Sequence, residues 1–386
     1  MKNKRKICFV ITSPIHYSRN ILILEELRDR RDVELHIVLG GVVLLSKYMS
    51  KFGNIENLLR ADGFKDIHEV YFYLDGDKPI SKAKTTGLGV IDFSSVFDHI
   101  KPDLVVVRGD RFEVLAASIA ANYLNITIAH IEGGDSSGTI DESIRHAITK
   151  LAQVHITTNA PAKARVIKMG EDPKYVFDFG SPDIEVVKKF VNKKQNITSE
   201  TGSGYEIDFS KPYLMVMYHP VTTELEEIRQ STRTILNSIK DIDMQTIWFW
   251  PNVDTGAEEI SHELRKFRDV YPKLKIRFMR YLAPKEFLSL LSKVSCLIGN
   301  SSAGIKECSY LGVPVVNIGT RQSDRLRAKN VLDVACDKKQ ILNAVKKQVK
   351  IVRYPASRLY FKTNTAKKIS NMLATIKLYV QKKFYE

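Results

Sequence analysis

Residues Asp103–Leu151 read DLVVVRGDRFEVLAASIAANYLNITIAHIEGGDSSGTIDESIRHAITKL, and their alternation decides the fold. An apolar run, Leu104–Val107, leads to Gly109, Asp110 and Arg111, and an Ala-rich helical pattern continues to Tyr123. A second strand, Ile126–His130, ends in Glu132-Gly133-Gly134. A Gly/Ser loop then opens a helix whose first residues are Asp141 and Glu142. Strands alternating with helices pack as a parallel sheet covered on both faces. In such sheets ligands bind where strands end and helices begin. Asp110, Arg111, His130, Glu132 and Asp141 sit at such points, while the strands are almost wholly apolar. Taken singly, Asp110 reads as a turn residue and Asp141 as a helix cap. Three carboxylates and two basic groups at equivalent positions point instead to chemistry.

The same alternation extends on both sides. Upstream, the spacing predicts strands at Ile7–Ile11, Val33–Leu39 and His68–Tyr73, and helices at Ser18–Arg31, Phe52–Ala61 and up to Ile100. Downstream come a strand Val154–Thr157, a helix Ala160–Met169 and a strand Val176–Phe179. Residues Lys193–Lys211 are rich in Ser, Thr, Gly, Asn and charge, and Gly202-Ser203-Gly204 reads as their most flexible point. A second series follows. Its strands are Tyr213–Tyr218, Thr246–Trp250, Ile276–Met279, Cys296–Ile298 and Val315–Ile318, the last clear one. Its helices are Glu224–Lys240, Gly256–Val270, Pro284–Lys293 and Ala303–Leu311. A helix around Thr363–Tyr385 ends the chain. The expectation is an α/β protein of two Rossmann-like, doubly wound domains, 1–190 and 191–365, facing across a cleft. A C-terminal helix, 366–386, packs back on the first domain.

The second series offers an anion site. Gly299-Asn300-Ser301-Ser302-Ala303-Gly304 joins a buried strand to a helix, where small residues and free N–H groups suit a phosphate. Ser301 and Ser302 add hydroxyls, and Glu307 lies where a carboxylate can accept from ribose hydroxyls. A Ser cap and a solvated glutamate fit the local sequence as well. Arg321, His219 and Asn252 follow neighbouring strands, which puts a cation, an imidazole and an amide at the same sheet edge.

Of 386 residues, 44% are apolar and 27% charged, which suits a soluble two-domain chain. No apolar run approaches the roughly 20 residues of a membrane span. The net charge of +15 calls for an anionic partner. Its lysine pairs, such as Lys346-Lys347 and Lys382-Lys383, lie on amphipathic patterns without interleaved aromatics, which speaks for solvated faces over nucleic acid. Cys8, Cys296, Cys308 and Cys336 show no CxxC spacing, so they read as reduced thiols of a cytoplasmic protein and not as a zinc site.

The chain resembles the UDP-N-acetylglucosamine 2-epimerase family, in particular the hydrolysing branch that feeds sialic-acid-type sugar synthesis. The matching pieces are Gly109-Asp110-Arg111-Phe112, His130-Ile131-Glu132-Gly133-Gly134, Gly138-Thr139-Ile140-Asp141, Ser143-Ile144-Arg145-His146-Ala147, His219-Pro220-Val221-Thr222-Thr223, Pro251-Asn252, Gly299-Asn300-Ser301-Ser302 and Gly319-Thr320-Arg321-Gln322. They run in order through both halves. The resemblance implies a glycosyltransferase-B type fold, a UDP-amino sugar substrate held mainly by the second domain, no metal or other cofactor, and a homodimer or homotetramer. It also implies catalytic roles for Asp110, Glu132, Asp141 and His219. Arg111, Arg145, His146, Asn252, Ser301, Ser302, Glu307 and Arg321 would bind substrate. The chain departs from the family's usual Arg-Ala-Glu/Asp-Tyr at Pro14-Ile15-His16-Tyr17, from its Gly-x-His segment at Gly40-Gly41-Val42-Val43, and from its Gly/Asp-rich turn at Phe361-Lys362-Thr363-Asn364. The first two fall on the sugar side, so N-acetylglucosamine and a 2,4-diacetamido-trideoxy analogue both stay open. Rival readings are a glycosyltransferase of the same shape, a non-hydrolysing epimerase, and a nucleotide-sugar sensor without catalysis.

Overall fold

The computed structural model describes residues 4–45, 54–74, 76, 78–138, 140–191, 202–221, 223–251, 255–280 and 282–386. The chain divides into two compact units. The first comprises Met1–Ser136, Asp141–Val186 and Lys362–Glu386; the second comprises Ser137–Ile140 and Val187–Phe361. Each is a parallel-sheet α/β domain, as the alternation predicts.

The first unit runs β1 (Arg5–Ile11), α1 (Pro14–Arg28), β2 (Val33–Gly40), α2 (Ile55–Ala61), β3 (Ile67–Val70), α3 (Pro79–Ile100), β4 (Leu104–Arg108), α4 (Phe112–Tyr123), β5 (Thr127–Ile131), α5 (Asp141–Leu151), β6 (Val154–Thr157), α6 (Ala160–Lys168), β7 (Val176–Asp178) and α7 (Pro182–Phe190). Its sheet is parallel, in the order β3-β2-β1-β4-β5-β6-β7. Helices cover both faces, so β4 is apolar from Leu104 to Val107 without alternating, and every residue of it is buried. Burying each such side chain contributes about 1.5–3 kcal/mol, which makes the central strands the anchor of the unit. The order reverses between β1 and β4. Their C-terminal ends therefore diverge into a crevice.

The second unit contains β8 (Ser203–Gly204), β9 (Leu214–Met217), α8 (Ile228–Ile242), β10 (Thr246–Phe249), α9 (Ala257–Val270), β11 (Ile276–Met279), α10 (Pro284–Lys293), β12 (Cys296–Gly299), α11 (Ser302–Ile305), α12 (Glu307–Leu311), β13 (Val315–Ile318), β14 (Val331–Val334) and α13 (Lys338–Gln348). Its sheet order is β14-β13-β12-β9-β10-β11-β8, parallel except for β8. Here the switch lies between β9 and β12.

Four expectations need correction. Gly202–Gly204 is not a free loop: β8 pairs antiparallel with β11, and a Cβ at Gly204 would meet the Ile276 carbonyl at 2.5 Å. Val315–Ile318 is not the last strand, because β14 pairs beside it. That edge strand is only half-buried, so its pattern is weak. The single helix Ala303–Leu311 is two, α11 and α12, broken at Lys306, whose ψ is −70°. The terminal helix, α14 (Thr365–Thr375), stops ten residues early. Beyond it the chain trades helical bonds for bonds to the first unit's sheet. The Tyr379 carbonyl accepts from Thr127 Oγ1 at 3.0 Å, and the Val380 carbonyl from Gln153 Nε2 at 3.1 Å. Within the first unit α14 packs on α1, where Arg5 Nη1 donates to the Leu373 carbonyl at 2.8 Å.

Candidate functional site

The first unit's crevice is built on arginines. Arg108, the last residue of β4, is 1% exposed. Its Nε and Nη2 donate to Glu132 Oε2 and Oε1 at 3.2 and 3.0 Å, a two-pronged pair. Nη1 donates to Asn20 Oδ1 at 3.0 Å, and Nη2 also binds buried Asp183. Burial alone would weaken the guanidinium's charge, but the Asp183 and Glu132 carboxylates more than offset it, and Arg108 stays a cation. Glu132 follows β5 with φ of +72°, the left-handed region that a residue with a side chain seldom occupies. Such a conformation costs about 1–3 kcal/mol and persists where its surroundings dictate it.

Asp110 follows β4 and pairs with Arg145 Nη2. Arg145 is itself buried, and its Nη1 donates to the Asp135 carbonyl at 2.9 Å. Arg111 caps the start of α4 and grips the fully buried Glu113 at 3.1 and 2.9 Å. Asp141 opens α5, and His146 Nε2 on that helix lies 3.4 Å from Glu142. His130 and His16, both buried, are uncharged at neutral pH. Burial pushes His130 down to about 4, and its ring spans the Gly109 carbonyl at 2.8 Å and Thr149 Oγ1 at 3.1 Å. Burial, with the charges of Arg111 and Arg108, pushes His16 down to about 3. The Thr12 N–H donates to His16 Nδ1 at 3.3 Å.

In the second unit the switch point is closed by Asn300. Its Oδ1 accepts from the His219 N–H at 2.8 Å and its Nδ2 donates to the His219 carbonyl at 2.8 Å, which ties the ends of β9 and β12 together. The Asn300 carbonyl accepts from Arg321 Nη1 at 3.1 Å and Gln322 Nε2 at 3.0 Å. Gly299, at φ +129°, must be glycine: a Cβ would stand 2.1 Å from the Met217 carbonyl. Ser301 is an N-cap, accepting from the Ala303 N–H at 3.3 Å. Glu307 opens α12 and is buried, not solvated; beside it Lys306 is 1% exposed.

Within the first unit, the structure thus gathers Asp110, Arg111, Glu132 and Arg145 at the ends of β4 and β5, with Asp141 and His146 on α5. In the second it gathers His219, Ser301, Ser302 and Arg321 around Asn300. Asn252 lies outside the described residues. Arg108 and Asp183 escaped sequence reasoning. The only signal for Arg108 was a charge ending an apolar strand. Asp183 sits 75 residues further on and carries no motif.

Among the described residues no helix is long and apolar enough to cross a membrane. The sequence profile of the UDP-N-acetylglucosamine 2-epimerase family matches residues 25–374. A UDP-N,N'-diacetylbacillosamine 2-epimerase (hydrolyzing) of Legionella pneumophila is 32% identical over 377 residues, covering 98% of this chain and 97% of its own length. A UDP-N-acetylglucosamine 2-epimerase of Neisseria meningitidis is 30% identical over 339 residues, covering 86% of this chain and 85% of its own length. The structure of the Methanocaldococcus jannaschii UDP-GlcNAc 2-epimerase, solved in complex with UDP-GlcNAc and UDP, matches with a TM-score of 0.79 at 17% identity. The match covers 95% of this chain and 99% of that one. The fold is therefore of the two-domain glycosyltransferase-B type.

Proposed function

The chain belongs to the UDP-N-acetylglucosamine 2-epimerase family, and from that premise we propose that it is a hydrolysing 2-epimerase of a UDP-N-acetylamino sugar. Its substrate is UDP-N-acetylglucosamine or a 2,4-diacetamido-trideoxy analogue, and its products are UDP and the free 2-epimeric sugar. The observation that carries the reading is the pairing of Asp110 and Glu132 with buried arginines at one sheet switch point. Carboxylates bonded in that way stay oriented and ionised for proton work. The likeness to the Legionella pneumophila enzyme over nearly the whole chain supports the hydrolysing chemistry and the diacetamido sugar.

The reaction has two steps. In the first, the C2–H proton passes to a carboxylate of the first unit and its electron pair forms the C1=C2 bond. The C1–O pair departs on the diphosphate of UDP, leaving a 2-acetamidoglycal. In the second, water adds at C1, losing a proton to a base, and C2 regains a proton with inverted configuration. The leaving diphosphate gathers charge, and donors fixed in advance stabilise it without rearranging. Arg321, His219 and the N–H groups of the Ser301-Ser302 turn serve that role, and Glu307 accepts from the ribose. Asp110, Glu132 and Asp141 share the acid and base roles. Incubation with a panel of UDP-amino sugars, read by NMR, tests the reading. Free 2-epimeric sugar with equimolar UDP is expected. A UDP-linked epimer, or unchanged substrate that nonetheless binds, would overturn it.

A further inference from the structure

One guanidinium in the first unit holds two carboxylates. Arg19, Asp183, Arg108 and Glu132 form a chain of alternating charge. Arg19 Nε lies 3.6 Å from Asp183 Oδ2, Asp183 Oδ1 binds Arg108 Nη2, and Arg108 forks onto Glu132. The two inner members are each 1% exposed at the side chain, whereas Glu132 is 12% exposed. The four charges cancel, and both ends reach the open side, Arg19 at 19% and Glu132 at 12% exposed.

We propose that Arg108 is a positioning residue for the reaction: its fork holds Glu132 ionised, and in a single orientation, as the acceptor of the sugar's C2 proton. This rests on the 2-epimerase reading above. The fork engages both carboxylate oxygens at once, which fixes the plane of the group where a single bond would leave it to rotate. The left-handed backbone at Glu132 points the same way. It is held by the fork at the side chain and by the Glu132 N–H donating to the Ile156 carbonyl at 2.9 Å. A strained residue fixed at both ends serves orientation better than packing.

The neighbouring elements bring further titratable groups to this end of the sheet. His16 of α1 and His130 of β5 are uncharged at neutral pH. Arg111 pairs with Glu113 at the start of α4. Asp110 pairs with Arg145 of α5, and His146 on that helix faces Glu142. Arg108 is the cation that contacts both Glu132 oxygens, and its second anion, Asp183 at the start of α7, is matched by Arg19. In the step assigned here, the C2–H bond breaks and its proton moves to a Glu132 oxygen. The electron pair becomes the C1=C2 bond as the C1–O pair leaves with the diphosphate.

The test compares Arg108→Lys, Arg108→Met and Glu132→Gln in the full chain, measuring kcat, KM, UDP affinity and the pH profile of kcat/KM. Lysine keeps the cation but loses the fork, and misplacement of a reacting group by about 1 Å costs about 10²-fold. Arg108→Lys should lower kcat by about that factor with KM and UDP affinity within about twofold. Loss of a charge partner moves a carboxylate by about 1–3 pH units, so in Arg108→Met the acid limb of the profile should rise by that amount. Arg108→Lys is informative whether or not Arg108→Met folds. If Glu132→Gln is inactive while Arg108→Lys melts lower but keeps wild-type kcat and pH profile, Arg108 is structural only and the inference falls alone. If Glu132→Gln turns over normally, Glu132 is not the proton acceptor and the inference falls while the 2-epimerase reading stands; a wild-type chain that releases no free 2-epimeric sugar would overturn that reading.

Discussion

Replacing Asn300 by alanine should strike the second unit's stability and its nucleotide site together. The side chain is 1% exposed and makes two bonds of 2.8 Å, one accepted from the His219 N–H and one donated to its carbonyl. His219 is 5% exposed, so alanine would leave one N–H and one C=O buried without these partners. Each such orphan costs about 1–3 kcal/mol. The sum is about 2–6 kcal/mol, and entry of a water into the vacated space trims it to about 3 kcal/mol. Asn300→Asp keeps the acceptor and loses the donor, so its own orphan costs about 1–3 kcal/mol. It also puts a negative charge beside the proposed diphosphate site, where UDP affinity should drop by about tenfold or more, equivalent to about 1.4 kcal/mol. Urea unfolding of the full chain measures the first effect. Two units can unfold in two transitions, and saturating UDP identifies the second unit's by moving it. Calorimetric titration with UDP measures the second effect. Asn300→Ala within about 0.5 kcal/mol of wild type, or Asn300→Asp with undiminished UDP affinity, would refute the latch between β9 and β12 as the core of that site.

Asp110→Asn, Glu132→Gln and Asp141→Asn should each lower kcat by about 10²–10⁴, and the first two should also melt lower, because each leaves a buried arginine short of a carboxylate. Normal turnover in any two would reject the assignment of proton transfer to these carboxylates. Glu307→Ala should weaken UDP binding and leave the fold intact, and equal affinity by calorimetry would remove its ribose role. A fourth expectation concerns pH. Burial would raise the Glu171 carboxyl, but the hydrogen bond from His155 and the ammonium groups of Lys150 and Lys382 hold it at about 2, against 4.5 for a free glutamate. A depressed carboxyl adds stability above its unfolded value and loses it as pH falls towards its folded one. Wild-type melting temperature should therefore fall more steeply than that of Glu171→Gln between about pH 5 and about pH 2. Parallel curves would show that these pairings add nothing.

Much of the fold was legible because parallel strands buried on both faces write unbroken apolar runs, and the turns after them carry Gly, Asp and Ser. β6, β11, α10 and β13 begin and end where the sequence places them. Asp110, Glu132, His219 and Arg321 were legible as polar residues closing such runs. What stayed hidden depends on partners distant in the chain. Arg108 reads as the frayed end of Leu104–Val107 until Glu132, Asp183 and Asn20 stand around it. The tail after Thr375 has helical spacing in Lys377–Tyr385, yet Lys382 Nζ finds the Lys150 and Ala152 carbonyls at 2.8 and 2.6 Å and Glu171 at 2.6 Å. A half-buried ammonium with those partners outweighs the few tenths of a kcal/mol per residue that helix propensity supplies. Glu307, on one continuous helix, fitted a ribose acceptor and a solvated glutamate equally; the break at Lys306 and the burial of Glu307 are tertiary facts.

In the proposed mechanism UDP leaves as the C2–H bond breaks, and the 2-acetamidoglycal left behind is then protonated at C2 as water adds at C1. Turnover of a UDP-amino sugar in deuterated water, followed by NMR and mass spectrometry, tests it most directly. The expected product is the free 2-epimeric sugar with one deuteron at C2, formed in step with UDP. Release of UDP with the original C2 proton and configuration retained would mean simple glycosyl hydrolysis and would contradict the mechanism.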